Sequence, residues 1–271
     1  MEHGLDFCNL TSKGLQLKIQ LKTQDIAVIG ICAALYAVVG RLTAGFTFLG
    51  VGFLPAVVIP AVFAVLYGPW VGGISGAIGI FIRDMFVHGN AALSLAAGVP
   101  PNFILFFLIG YIAARNIDTK KITVVLFLSA AVIIAGLVVP TLIYPAEFTT
   151  LTGLTTTEIL LVFGLTVVLS FVVIAVVAIR WKQWRSFAIA AVVGQAAGAG
   201  LLSVTVWAVS PLFLSYFKSP VGATFILPLF VWTFATEIPF ILLVGPPIIK
   251  ACYRAFPSLR QRGQLKGEVN E

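Results

Sequence analysis

Long apolar runs, separated by short breaks of basic, glycine- or proline-containing sequence, repeat along most of this chain. Runs of roughly 18 residues or more are long enough to cross hydrocarbon as helices, with every backbone group satisfied inside the segment. On that reading spans fall near residues 26–43, 50–67, 69–87, 100–115, 122–144, 158–180, 187–209 and 225–249. The expected fold is all-α, a polytopic transmembrane helix bundle of about six to eight spans. The stretch 52–102 organises it: two apolar runs hinged at Gly68-Pro69, the second rich in glycine and ending in Arg83, Asp84 and His88. Pro55 and Pro60 remove backbone donors and would bend the second span, whereas Pro69 opens the third where its missing donor costs little. The fourth is short and begins at Pro100-Pro101-Asn102.

Ahead of the first span, Leu15, Leu17, Ile19 and Leu21 alternate with Gln16, Lys18, Gln20 and Lys22, the period of a strand. A lone strand is not stable, so residues 1–24 read as a tail, or as a segment that pairs with a partner chain. They lack the charged start, apolar middle and small-residue exit of a cleaved signal. The expected organisation is a tail at 1–24, a membrane domain at 25–250 and a basic tail at 251–271, with no clear internal repeat.

Composition agrees with this class: 60% of residues are hydrophobic, 10% are charged and the mean hydropathy is +1.07. A soluble domain of this length could not bury so much apolar surface. The net charge of +7 would suit nucleic acid, but its distribution supplies a simpler cause. Basic residues collect at Lys13, Lys18 and Lys22, at Arg115, Lys120 and Lys121, at Arg180, Lys182 and Arg185, and from Lys250 to Lys266. Stepping across the membrane from an inside N-terminus places every one of these loops inside and the loop holding Glu147 outside. The reading is a multi-pass cell-membrane protein with both termini cytoplasmic and no nucleic-acid partner. Cys8, Cys32 and Cys252 lie in separate segments without metal-ligand spacing and read as unpaired thiols. The chain has no phosphate-binding glycine loop followed by Lys and Ser/Thr, no HExxH and no GxSxG, so neither its own ATP hydrolysis, a bound metal, a cofactor nor an enzymatic role is expected.

Polar residues inside the spans are few: Arg41, Arg83, Asp84, His88, Asn102, Gln195 and Glu237. Such groups are costly in lipid and face protein or a water-filled cavity. By the topology above, Arg41, Arg83, Asp84 and His88 sit at the outer rim, with Asn90 and Asn102 after the same outer turn. Candidate substrate-binding residues are therefore Arg41, Arg83, Asp84, Asn90, Asn102 and Glu237. Each has a competing structural reading. Arg41 could anchor the helix at the interface, Arg83 and Asp84 could snorkel, and as helix neighbours they do not face each other. Glu237, near mid-membrane, could be a paired structural acid or could bind substrate or a proton. His88 reads as an interfacial polar residue. Trp207, Tyr216 and Trp232 could stack on a planar ligand or belong to an aromatic belt. Small residues four apart in the first span, Gly30 with Ala34 and Ala33 with Ala37, allow close helix approach, within this bundle or with another chain.

The small-residue first helix followed by FLPAVVIPAVFAVLYGPWVGGISGAIGIFIRD resembles the membrane substrate-binding S component of energy-coupling factor transporters. The resemblance covers about residues 23–115 and rests on Pro60, the Gly68-Pro69 turn, the glycines from Gly72 to Gly79, and Asp84. It implies capture of a vitamin or related micronutrient from outside, followed by association with a transmembrane T component and two ATP-binding subunits. It further implies that Ala33 and Ala37, with Gly30 and Ala34 beside them, form the docking surface for the T component. S components usually have six spans, fewer than hydropathy gives here.

The combined reading is a substrate-binding membrane component in which loops near Asn90 and Glu147 close over the ligand. Other classes remain open, a purely structural assembly subunit and two that are more specific. One is a self-sufficient proton-coupled secondary carrier using Glu237; the other is a membrane-embedded enzyme using Asp84 and His88.

Overall fold

The computed structural model describes residues 22–45, 47–115, 131, 134, 155–217 and 219–259. Among the described residues the fold is all-α apart from one hairpin. Helix α1 (Thr23–Leu42) is followed by strands β1 (Thr47–Phe48) and β2 (Val51–Gly52), then by α2 (Val58–Tyr67) and α3 (Pro69–Val87). Helix α4 runs over Ala91–Ala113, followed by α5 (Thr156–Arg180), α6 (Arg185–Val209), the short α7 (Leu214–Phe217) and α8 (Ile226–Ala255). Among the described residues five helical segments are long and apolar enough to cross a membrane: Thr23–Leu42, Pro69–Val87, Ala91–Ala113, Arg185–Leu212 and Ala223–Ala255. Two further apolar helical stretches, Pro55–Tyr67 and Phe163–Val177, are shorter. The alternating stretch before Lys22, the run at 122–144 and the Glu147 loop lie outside the described residues.

Two boundaries differ from those the hydropathy pattern predicts, each for a local reason. The run expected at 50–67 is not one helix. Leu49 (φ 47°) and Gly50 (φ 79°) both adopt left-handed backbone, closing a tight hairpin that pairs Thr47 with Gly52 and Phe48 with Val51. Helical structure begins only at Pro55, with a 3-10 turn over Pro55–Val57. The fourth helix starts at Ala91 rather than Pro100, because Asn90 caps it and a π turn over Ser94–Gly98 widens the helix just ahead of the two prolines. Between α6 and α8 the described residues hold 3-10 turns over Ser210–Leu212 and Ala223–Phe225 and the four-residue α7.

Helix α3 packs against α1, α2 and α4, with α6 beyond α4, and α8 against α5 and α6. Its glycine face lets it do so. A methyl group on Gly76 would come 2.1 Å from the Phe106 ring of α4, and one on Gly79 would come 2.7 Å from the Tyr36 ring of α1. The same logic brings α6 onto α4. A methyl group on Gly198 would lie 2.8 Å from Leu105 Cβ.

The small residues of α1 fall on two different sides of the helix. Ala33 and Ala37 are buried inside the bundle with Cys32, Tyr36 and Gly40, and the Ala33 carbonyl faces Gly79. They pack α1 on α3. Gly30 and Ala34 lie on the opposite, exposed side with Ile31, Leu35 and Val38.

Helix α8 continues through Pro239, Pro246 and Pro247. A proline cannot donate to the carbonyl four residues earlier, and for Pro239 that carbonyl belongs to Ala235. Ser170 of α5 supplies the missing donor, its hydroxyl reaching Ala235 O at 2.5 Å, so the break also ties α5 to α8.

Alternating helix direction separates the bundle into two ends. Gln24, Tyr67 and Leu259 meet at one end, which also carries Arg115 and the turn from Arg180 to Arg185. The C-terminus of α3, the start of α4, the hairpin and α7 gather at the other.

Candidate functional site

At the end opposite the basic turns, a cavity of about 90 Å³ opens between α3, α4, α6 and α8 under the hairpin and α7. Its walls include Arg83 and Asp84 from α3, Asn102 from α4, Gln195 from α6, and Thr233 and Glu237 from α8. His88, just past α3, lines it as well, and Gly50, Tyr216 and Phe217 form the mouth. Leu105, Leu202 and Val206 supply apolar wall between the polar groups.

The polar groups form two separate constellations. Around Asp84, the Arg83 guanidinium folds back along the helix to place Nη1 3.0 Å from Asp84 Oδ1. Helix spacing alone keeps these neighbours apart; the length of the arginine side chain overcomes it. Ser94 Oγ donates to Asp84 Oδ2 at 2.7 Å. A side chain at Gly98 would come 2.7 Å from that same oxygen, so glycine is what lets the carboxylate lie against α4. His88 Nδ1 accepts from the Asn90 backbone N–H at 3.1 Å, leaving Nε2 as the nitrogen turned toward Asp84, 3.7 Å away. The charges here are satisfied largely among themselves.

Deeper between α6 and α8, Gln195 Nε2 donates to Glu237 Oε2 at 2.6 Å and to the Thr233 carbonyl at 3.2 Å. Gln195 and Glu237 are 0% and 5% exposed. Between the two constellations Asn102 is held by Tyr36, whose hydroxyl donates to Asn102 Oδ1 at 2.7 Å, while Asn102 Nδ2 donates to Gly98 O at 2.9 Å.

Three buried polar atoms of the cavity's lining residues have no hydrogen-bond partner among the described residues: Arg83 Nε, Gln195 Oε1 and Thr233 Oγ1. Buried polar groups are nearly always paired, so three unpaired atoms on the lining residues of one cavity set this region apart from the rest of the described core.

The mouth is closed by contacts distant in sequence. The Tyr216 hydroxyl donates to Gly50 O at 2.7 Å, and Trp232 Nε1 donates to Val51 O at 3.1 Å. Burial pushes the Tyr216 hydroxyl above its ordinary pKa, which keeps it a donor. Phe48 of the hairpin packs edge-on against Phe163 of α5 at 5.1 Å between centroids.

Of the residues singled out from sequence, Arg83, Asp84, Asn102 and Glu237 are brought together on this cavity. Arg41 is exposed on the last turn of α1, on the side away from Tyr36 and Gly40, and is absent from the lining. Asn90 also stands outside it: its side chain accepts from the Leu93 N–H and caps α4. Trp207 is exposed and Trp232 serves the hairpin, whereas Tyr216 reaches the mouth. His88 and Gln195 belong to the site although the sequence assigned neither a binding role. Tyr36, Ser94 and Thr233 were missed altogether. A tyrosine in an apolar span needs a partner for its hydroxyl, a signal that could have flagged Tyr36. Ser94 and Thr233 carry no such mark. Among the described residues no group of His, Cys, Asp and Glu could hold a metal.

Two curated relatives are UPF0397 proteins, from Aliivibrio fischeri strain MJ11 and from Aliivibrio salmonicida strain LFI1238. Each is 36% identical over 81 residues, a stretch that covers 30% of this chain and 44% of the relative. The chain thus spans less than half the length of the curated relatives it matches. No solved structure matches it significantly. The family model described as the ECF-type riboflavin transporter, S component, matches residues 20–181, more than half of the chain. A glycine-faced α3 that ends in the cavity's Arg83-Asp84 pair lies within that match, and the chain belongs to the S-component family of ECF-type riboflavin transporters.

Proposed function

We propose that this multi-pass membrane protein is the substrate-specific component of an energy-coupling factor transporter, binding a vitamin or related micronutrient in the cavity beneath the hairpin and α7. The observation that carries the reading is the set of three buried polar atoms, Arg83 Nε, Gln195 Oε1 and Thr233 Oγ1, that have no partner among the described residues and belong to residues lining one cavity. Positive charge at the opposite end supports an orientation with both termini in the cytoplasm and the cavity facing outward. Ligand sites for vitamin-sized molecules usually occupy at least about 300 Å³, so loading requires the hairpin and α7 to part. Arg83, Asp84, Asn102 and Glu237 bind the ligand, together with His88, Gln195 and Thr233.

Transport in this reading depends on a transmembrane T component and two ATP-binding subunits. Gly30 and Ala34 lie on an exposed, small-residue face of α1 that suits close approach by a partner helix. The family is one of transporter components rather than enzymes, and neither catalysis by Asp84 and His88 nor self-sufficient proton coupling by Glu237 is invoked.

The test is purification of the tagged chain from its native membranes in mild detergent, with mass spectrometry of protein and small molecules. Co-purification of a T component with two ATPases is the expected result, and a retained vitamin names the substrate, riboflavin being the first to look for. Uptake by the chain alone in vesicles carrying a proton gradient would overturn the proposal in favour of a carrier.

A further inference from the structure

Among the described residues, the acidic and basic side chains that line the cavity are Arg83, Asp84, His88 and Glu237. Arg83 is the permanent cation of the set, and its charge is cancelled inside the wall: Nη1 lies 3.0 Å from Asp84 Oδ1, with both residues buried. No other lining group supplies a free positive charge. His88 turns Nε2 toward the same carboxylate at 3.7 Å, so a proton taken up there is also directed at Asp84. Glu237 contributes nothing as the acid and a second negative charge as the carboxylate. Helix α3 brings its C-terminal end to this region, and its last turn carries no basic residue to offset the partial negative charge of a helix C-terminus. Arg41 is absent from the lining, and the basic turns lie at the other end of the bundle.

The lining is therefore polar, with a net charge of zero or below. Moving an anion from water into such a site is costly without a counter-charge, whereas hydroxyl and carbonyl groups need only hydrogen bonds. We infer that Asp84 is a specificity-determining residue: by cancelling the charge of Arg83 it makes the cavity take an uncharged ligand and turn away the phosphate ester of that same ligand. The inference rests on the proposed binding role of this cavity and adds the charge class of its ligand. For a flavin, the ligand is riboflavin itself and not riboflavin 5′-phosphate, whose ester group carries a charge of about −1.5 to −2 at neutral pH. A phosphorylated form outside the cell would first have to lose its phosphate to a phosphomonoester hydrolase.

Three probes separate charge from size: riboflavin, its uncharged 5′-acetate ester and its 5′-phosphate. Binding of each to the full chain in nanodiscs is measured by quenching of flavin fluorescence, for the unaltered protein and for Asp84→Asn. The expected result is acetate binding at least about tenfold tighter than phosphate in the unaltered protein. In Asp84→Asn the charge of Arg83 is no longer cancelled, and the phosphate should gain at least about tenfold relative to the acetate. A phosphate that binds as tightly as the acetate overturns the inference, as does a ratio unchanged in folded Asp84→Asn, or binding of none of the three. Should Asp84→Asn not fold, Asp84→Ser takes its place, and the acetate-to-phosphate ratio in the unaltered protein remains decisive. The cavity reading is judged separately by Leu202→Trp, which fills the space. If that folded variant retains the small molecule that co-purifies with the unaltered chain, the cavity is not the binding site; if it loses it while the phosphate binds as well as the acetate, only the inference falls.

Discussion

Tyr216 and Gly50 stand 166 residues apart in the chain and are joined at the mouth of the cavity by a 2.7 Å hydrogen bond from the phenol to the hairpin carbonyl. Gly50 can make this contact because it has no side chain; a methyl group there would lie 2.8 Å from the tyrosine ring, on backbone with φ 79°. Tyr216→Phe keeps the ring and removes only the bond, a loss of about 1 kcal/mol. Residues 47–52 should then exchange amide hydrogens roughly fivefold faster, and bound ligand should leave faster by a similar factor. Unchanged exchange in the hairpin would show that the phenol does not hold the mouth closed.

Tyr36 and Asn102 form the one side-chain hydrogen bond between α1 and α4 among the described residues, at 2.7 Å in a buried setting. Tyr36→Phe preserves the packing on Phe106, 5.7 Å between ring centroids, but strands Asn102 Oδ1. A buried acceptor left alone costs about 1–3 kcal/mol. The expected outcome is a thermal midpoint several degrees lower in detergent. Tyr36→Phe combined with Asn102→Leu should lose less than the two single changes added together, because neither partner is then stranded.

How much of this was legible beforehand depends on the kind of signal involved. The long helices α1, α3, α6 and α8 were, since each is a long apolar run, and Gly68-Pro69 marked the turn between α2 and α3. The glycines of α3 announced close packing, but the pattern in α1 could not say which of two small-residue pairs faced inward; Tyr36, next to Ala37, decided it by needing a buried partner. The hairpin was hidden because Phe48, Val51 and Phe53 look like the start of a hydrophobic span, and only the backbone at Leu49 and Gly50 breaks it. In the site, charged residues showed through because charge in a span is costly, whereas Ser94 and Thr233 are ordinary in helices and gained their meaning from Asp84 and Gln195 across the cavity.

The Arg83-Asp84 pair predicts an asymmetric response to mutation. Arg83→Ala leaves a buried carboxylate supported only by Ser94 and the nearby His88, and removing one member of a buried pair costs about 3 kcal/mol or more. Arg83→Met with Asp84→Asn removes both charges at similar volume and should recover most of that loss. Thermal unfolding of the two variants checks this. Recovery of stability without recovery of ligand binding is the expected split, because the double variant restores the fold but not the donor at Arg83 Nε.

Gly30 and Gly76 offer a contrast between an exposed helix face and one used within the bundle. A methyl group on Gly76 would meet Phe106 at 2.1 Å, so Gly76→Ala should lower the thermal midpoint of the isolated chain, overpacking of this kind costing about 1–3 kcal/mol. Gly30 has nothing within 4 Å of where its side chain would be, and Ala34 is exposed on the same face one turn on. Gly30→Leu should therefore leave folding and ligand binding of the isolated chain unaltered. If this face receives the T component, the bulky residue holds the two helices apart, and the T component and ATPases should be lost from the purified complex together with ATP-dependent uptake. A Gly30→Leu chain that still assembles and transports would remove this face of α1 from the docking surface.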